Sequence, residues 1–361
     1  MERRAFLRGA ALAGAGGAAL AAPAIAQERI EMTIVSTWGR DFPGLGTSAQ
    51  RLAARIPEIT DGRIQTEYFA SKERVDTFDV FDHTAEGKAQ AYIGADYYWK
   101  GSHPAWAYFT AVPFGLTFPE IDAWMRFGGG QELMDEVGDD FGIKGFPCGN
   151  TGVQMGGWFR KEVETADDLA DLTMRIPGLG GDVMAKLGVA TVSLGGTEIF
   201  ENLNNGQIDA TEWVGPWNDE ALKLYQAARY YYYPGMHEPG AQLSMGMNKS
   251  WWSSLNPTDQ ALIEAACGEE NSRQVAETNW RNGAALQRLI DDHGVELREF
   301  SDEIYESFGE AAEEVFDEVR QHSALANKVH ESFLEARQSV GNWMSLADVA
   351  YSNKRNAVLG L

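Results

Sequence analysis

Ile30, Met32 and Ile34 alternate with polar neighbours, which predicts a strand, because a strand turns successive side chains to opposite faces. Leu52, Ile56 and Ile59 then fall at helical spacing within Thr47–Ile59, and Asp61-Gly62 turns the chain. A strand over Arg63–Phe69, a helix over Val75–Gly87 and a short strand over Gln90–Gly94 follow. This alternation predicts an α/β fold with a largely parallel sheet. It restarts near Thr173 with a strand at Met174–Ile176, the glycines of 178–181 leading a helix through Met184 to Leu187, and a strand at Val189–Val192. A helix at Glu198–Leu203, a turn at Asn205-Gly206 and a short strand at Ile208–Ala210 complete the second unit. Two α/β units predict two lobes with a cleft between them. From about Pro257 the pattern is mostly helical, and Asp302–Arg337 is acidic and amphipathic. Its stripe of Ile304, Phe308, Ala312, Val315, Phe316 and Val319 suits a dimer face and an internal packing face equally.

The first 26 residues follow another logic. Arg3, Arg4 and Arg8 precede a Gly/Ala-rich, weakly apolar stretch that ends at Ala24-Ile25-Ala26. A positive start, a short apolar region and an A-x-A exit mark an export signal, and Arg3-Arg4 ahead of Phe6-Leu7 resembles a twin-arginine leader. Removing it takes away a net +2 and deepens the charge from −23 to −25. No later segment reaches the roughly 20 apolar residues that span a bilayer. The mature protein is expected in the periplasm.

Composition narrows the work. The chain has 361 residues, 44% of them hydrophobic, with 17 Phe, 12 Tyr and 11 Trp, enough for substantial cores and unlike a disordered chain. Thirty Lys and Arg against 53 Asp and Glu argue against nucleic acid and against anionic lipid. Cys148 and Cys267 are too few for a disulfide framework, and whether they pair is left open. No phosphate-cradling glycine loop, nucleophile elbow, HExxH or CxxC is present.

Three segments carry chemistry. In Gly149–Trp158, glycines bracket Asn150 and Gln154, whose amides both donate and accept. In Met174–Gly178, Arg175 lies between apolar residues and suits a bidentate carboxylate, or an internal ion pair. In Asp209–Asn218, Glu212 sits beside Trp213 and near Trp217, and a carboxylate on such surface needs a cation or a basic partner. Glu238, after the tyrosine run 230–233, has the same character. Two carboxylates, the Gln154 amide oxygen and backbone carbonyls form an all-oxygen set for a hard cation; separate salt bridges are the alternative.

The stretches GNTGVQMGGWFRKE (149–162), MRIPGLGGDVMAKLGV (174–189), GGTEIFENLNNGQIDATEWVGPWNDE (195–220) and YYYYPGMHEPG (230–240) resemble the extracytoplasmic solute receptor of a TRAP transporter. The resemblance is to the DctP type, in its 2-oxo-acid- and lactate-binding branch, over essentially the whole chain. It implies a two-lobed periplasmic binding protein, type II-like, with a long connecting helix and C-terminal helices. Lobe 1 is then 27–151 plus about 241–300, and lobe 2 is 152–240 plus about 301–361 with the C-terminal helices. Carried over by position, Arg175 binds the carboxylate of a small monocarboxylate such as pyruvate or lactate. Gln154, Glu212, Glu238 and the backbone carbonyl of Trp213 hold a sodium or calcium ion. Asn150 adds a hydrogen bond, and Tyr98 with Trp213 walls the pocket. The implied partners are integral membrane permease subunits, and a second copy through the C-terminal helices.

Three places depart from the branch: Met236-His237 replaces bulky aromatics, Gly39-Arg40-Asp41-Phe42 is less small and polar than expected, and Tyr97–His103 carries a one-residue spacing change after Trp99. With an ionised ligand the cluster carries one net negative charge under sodium and none under calcium, and near-neutral clusters tolerate burial best. Two rival functions stand beside this one. An exported enzyme would use Glu212 as a general base, yet no nucleophile, cofactor motif or acid partner accompanies it. A sensory receptor would dock a membrane kinase instead of a permease.

Overall fold

The computed structural model describes residues 29–360, so the twin-arginine leader lies outside the described residues. The first strands are β1 (Ile30–Ser36), β2 (Ile64–Phe69), β3 (Ala91–Gly94) and β4 (Ile143–Asn150). They are followed by β5 (Gly157–Phe159), β6 (Thr173–Arg175), β7 (Ala190–Val192), β8 (Ala210–Thr211) and β9 (Tyr230–Tyr233). The last are β10 (Gln242–Asn248) and β11 (Glu296–Glu299). They form a 5-stranded sheet in the order β2-β1-β3-β10-β4 and a 6-stranded sheet in the order β11-β9-β5-β8-β6-β7.

Each sheet is parallel except for one reversed strand, β10 in the first and β5 in the second. Those two strands are the ones the chain enters directly from a strand of the other sheet, with no helix between. β4 leaves the first sheet and becomes β5 through 151–156; β9 leaves the second and becomes β10 through 234–241. The alternation expected of β1 gives way at Ile34–Ser36 to burial on both faces, as helix-covered parallel strands require. The helix expected over Val75–Gly87 is confined to Val80–Ala85.

A third crossing is the helix Pro257–Asp291, 35 residues and roughly 50 Å long at about 1.5 Å per residue. Asn256 caps it by accepting from Asp259 N at 3.0 Å, with Pro257 at its first turn. Glu270 on this helix takes Arg51 and Ser48 of the first lobe, and Asn282, three turns on, accepts from Trp217 N of the second. One rigid rod therefore touches both lobes.

The acidic C-terminal stripe is resolved in favour of internal packing. Ile304, Phe308, Ala312, Val315, Phe316 and Val319 are all buried on the helix Asp302–His322, which packs on the helices Gly178–Lys186 and Ala324–Met344. Among the described residues no helix is long and apolar enough to cross a membrane.

Candidate carboxylate and cation site

Arg175 ends β6, and Glu212 follows the last residue of β8, its parallel neighbour. Both leave the C-terminal edge of the second sheet, where α/β proteins hold ligands. Glu212 N donates to Arg175 O at 3.2 Å, which fixes the two side chains in register. Arg175 is only 1% exposed. Its Nε donates to Leu194 O at 3.1 Å, and its Nη1 donates to Glu212 O at 3.2 Å and to the Glu212 carboxylate. Nη2 is buried without a partner. The guanidinium also lies 5.2 Å from the Trp213 ring centroid.

Gln154 and Glu238 stand on the two crossing segments, which pair like a short ribbon. Gln154 N donates to Glu238 O at 3.1 Å, and Gly235 N to Gln154 O at 3.1 Å. Gln154 Nε2 donates to Glu238 Oε2 at 2.6 Å and to Thr151 Oγ1 at 3.1 Å. The remaining oxygens, Gln154 Oε1 and Glu238 Oε1, are buried and unpartnered. Burial, and then the charge of Glu212, hold the Glu238 carboxyl well above the usual range, with Arg175 pulling it partly back. A cation between these oxygens would relieve both causes. Free acceptors, a second carboxylate and burial make the residues present fit a bound cation.

Arg175, Gln154 and Glu238 line one small cavity together with Trp213, Tyr97, Tyr98 and Trp38. Trp213 meets Trp38 edge-on at 6.3 Å and Phe42 at 6.0 Å, so aromatic rings from both lobes close one side. Asn218 Nδ2 donates to Pro43 O at 2.5 Å across the same seam, and Lys72–Glu198 at 3.3 Å and Lys100–Asp182 join the rims. Asn150 is fully buried but works in the ribbon: Nδ2 donates to Gly240 O at 3.1 Å, and Oδ1 accepts from Gly152 N at 2.8 Å. It is not among the residues that line the cavity.

Sequence reasoning missed Tyr97, Trp38 and His237 as members of this neighbourhood. Trp38 adjoins the departing loop at Gly39–Phe42, which was the available signal. His237 Nε2 lies 3.3 Å from Glu212 Oε2, although the two are 25 positions apart. Sequence reasoning also passed over Asp219. Its carboxylate accepts from Trp158 Nε1 at 2.9 Å, Tyr231 Oη at 2.7 Å, and Val214 N and Gly215 N at 3.1 Å each, which pins the loop that follows Trp213.

Two α/β lobes joined by crossing strands, closing on one buried arginine and an incomplete oxygen cage, define a receptor for a small solute. The chain belongs to the bacterial extracellular solute-binding protein family 7, the DctP family, whose profile matches residues 35–322. It is a periplasmic solute receptor, not an enzyme, which removes the exported-enzyme reading. It is 37% identical over 324 residues to the monocarboxylate 2-oxoacid-binding periplasmic protein of a Nostoc species, covering 90% of this chain and 88% of that one. A TRAP transporter solute-binding protein from Bordetella bronchiseptica, a dimer with copurified calcium and picolinate, superposes with TM-score 0.90 at 31% identity, covering 92% of this chain and 99% of that one. Another from Pseudoalteromonas atlantica, with bound sodium and pyruvate, gives TM-score 0.87 at 35% identity, covering 90% and 99%.

Proposed function

We propose that this protein captures a small 2-oxo or 2-hydroxy monocarboxylate, with pyruvate and lactate as the first candidates, and delivers it to the integral membrane subunits of a TRAP transporter for ion-gradient-driven uptake. The observation that carries this reading is the buried, half-satisfied set of Arg175 Nη2, Gln154 Oε1 and Glu238 Oε1. One free donor and two free acceptors at one cavity call for a ligand carboxylate and a cation together. In this reading Arg175 pairs with the carboxylate. Gln154, Glu212, Glu238 and the carbonyl of Trp213 would hold a sodium or calcium ion, which would supply a second positive centre for the ligand's carboxylate and its 2-oxo or 2-hydroxy oxygen. Tyr98 and Trp213 exclude water, which strengthens each charge-assisted bond. Asn150 acts by holding the two crossings together.

The lobes in this reading are 27–151 plus about 241–295, and 152–240 plus about 296–361, since β11 pairs with β9 in the second sheet and so moves the expected boundary near 300 back by one strand. Export uses the twin-arginine route through Arg3-Arg4, and two copies associate through the C-terminal helices.

The test is a thermal-shift series with pyruvate, lactate and longer 2-oxo acids, with and without EDTA, sodium and calcium. Stabilisation by a monocarboxylate that depends on the ion is expected. No response to any monocarboxylate would overturn the substrate class.

A further inference from the structure

Glu212, His237 and Glu238 each bring one ligand-capable atom to within 4.8 Å of the other two, and all three side chains are buried. We infer that His237 supplies an imidazole nitrogen to the cation site, so that the site takes a borderline divalent ion of the zinc and cobalt class more tightly than sodium or calcium. This rests on the carboxylate-and-cation reading above and concerns the identity of the ion.

Geometry supports it first. His237 Nε2 and Glu212 Oε2 are 3.3 Å apart, and two ligands sharing one tetrahedral ion at bonds of about 2.1 Å stand about 3.4 Å apart. The other acceptors are waiting: Glu238 and Gln154 are each 3% exposed, and Oε1 of each is buried without a partner. The backbone is shaped to bring the imidazole in. A Cβ on Gly180 would stand 2.6 Å from His237 Cβ, so a side chain at 180 would push the histidine away. Arg175 holds the far oxygen of Glu212, leaving Oε2 turned towards His237.

Chemistry then selects the ion. Sodium and calcium sites are built from oxygen, whereas neutral imidazole suits zinc, cobalt, nickel and copper. Two carboxylates and one neutral imidazole around a divalent ion sum to zero, leaving Arg175 to pair with the ligand carboxylate. A 2-oxo acid offers two further oxygens to such an ion.

The test uses the full mature chain, stripped with EDTA and titrated with Zn²⁺, Co²⁺, Ca²⁺ and Na⁺, each with and without pyruvate. Expected are Zn²⁺ and Co²⁺ affinities at least about tenfold above that for Ca²⁺ and, without pyruvate, a Co²⁺ visible spectrum of low coordination number. Pulsed EPR of the Cu²⁺-loaded wild-type chain should show coupling to one imidazole nitrogen. In His237→Asn and His237→Gln the nitrogen coupling should vanish, with Zn²⁺ and Co²⁺ affinity falling about tenfold and Ca²⁺ affinity by less than about threefold. Absence of nitrogen coupling in the wild-type chain would overturn the inference. So would an equal loss for every cation in the variants, which marks His237 as a hydrogen-bonding orienter of Glu212. Ca²⁺-supported pyruvate binding without nitrogen coupling leaves the parent reading standing. Pyruvate binding indifferent to every cation removes both.

Discussion

Arg175 Nη1 is shared between the carboxylate and the carbonyl oxygen of Glu212, while Nη2 of the same guanidinium meets nothing. The arginine is thus locked at one nitrogen and at Nε, with the other nitrogen presented to the cavity. Arg175→Lys keeps the charge and loses the fork. It should stay folded and lose at least ~2 kcal/mol of ligand binding, about thirtyfold in Kd. Arg175→Ala should also lose stability, by ~3–5 kcal/mol, because Glu212 is left buried without its cation. Calorimetric titration with pyruvate and urea unfolding of both variants separate the two effects; wild-type affinity in the lysine variant would remove Arg175 from the site.

Asp219 is the structural counterpart of that pair. It gathers an indole, a phenol and two backbone amides, and the two amides belong to the residues just after Trp213. Asp219→Ala strips four buried donors at once and should destabilise the protein by at least ~3 kcal/mol. A drop in the urea midpoint at unchanged m-value measures this. A shift below ~1 kcal/mol would mean that the donors find other partners.

Asp96 makes stability depend on pH. It accepts from Tyr92 Oη at 2.8 Å and Ser244 Oγ at 2.6 Å, but burial outweighs both bonds and pushes its carboxyl up to about 7. The native state therefore keeps this proton over a range where the unfolded chain, with an ordinary aspartate, has released it. The contribution of Asp96 is fully present below about pH 4 and is lost as pH rises towards 7, at up to ~1.4 kcal/mol per pH unit. Asp96→Asn should remove that slope. Urea unfolding of the two proteins between about pH 4.5 and 7.5 reads it, and a constant difference between them would show that Asp96 titrates normally.

Much of this was legible in the sequence because it is periodic or compositional. The two α/β units followed from strand–helix alternation, and the buried stripe from Ile304 to Val319 followed from helical spacing. Arg175 and Glu212 stood out as charges in apolar runs, and both are buried. What stayed hidden depends on distance across the fold. The reversed strands β5 and β10 arise from inter-lobe crossing, which no local pattern encodes. His237 could not be placed beside Glu212 from its neighbours, and nothing local marks Asp219 as the acceptor for four donors. Asn150 shows the converse: its amide was conspicuous in a glycine-rich run, but the run is a crossing segment, and the amide is occupied by Gly240 and Gly152.

The C-terminal stripe is consumed within the chain, so the association proposed above would have to use what lies beyond it. Trp343, Leu346, Val349, Tyr351, Val358 and Leu359 are 53–82% exposed, and no residue from Ser345 to Leu359 is buried. Solvated helices do not gather this much apolar surface without a partner. Lys354 and Arg355 add positive charge there, on a chain whose net charge is −23, so the segment is complementary in sign to the body of a second copy. Truncation after Met344 should leave the lobes folded, with the pyruvate response intact, and convert a dimer into a monomer. Leu346→Glu with Tyr351→Glu should do the same without shortening the chain. Light scattering after size-exclusion chromatography measures the mass of each form. A full-length chain that already runs as a monomer, or a truncated one that stays dimeric, would place the interface elsewhere or abolish it.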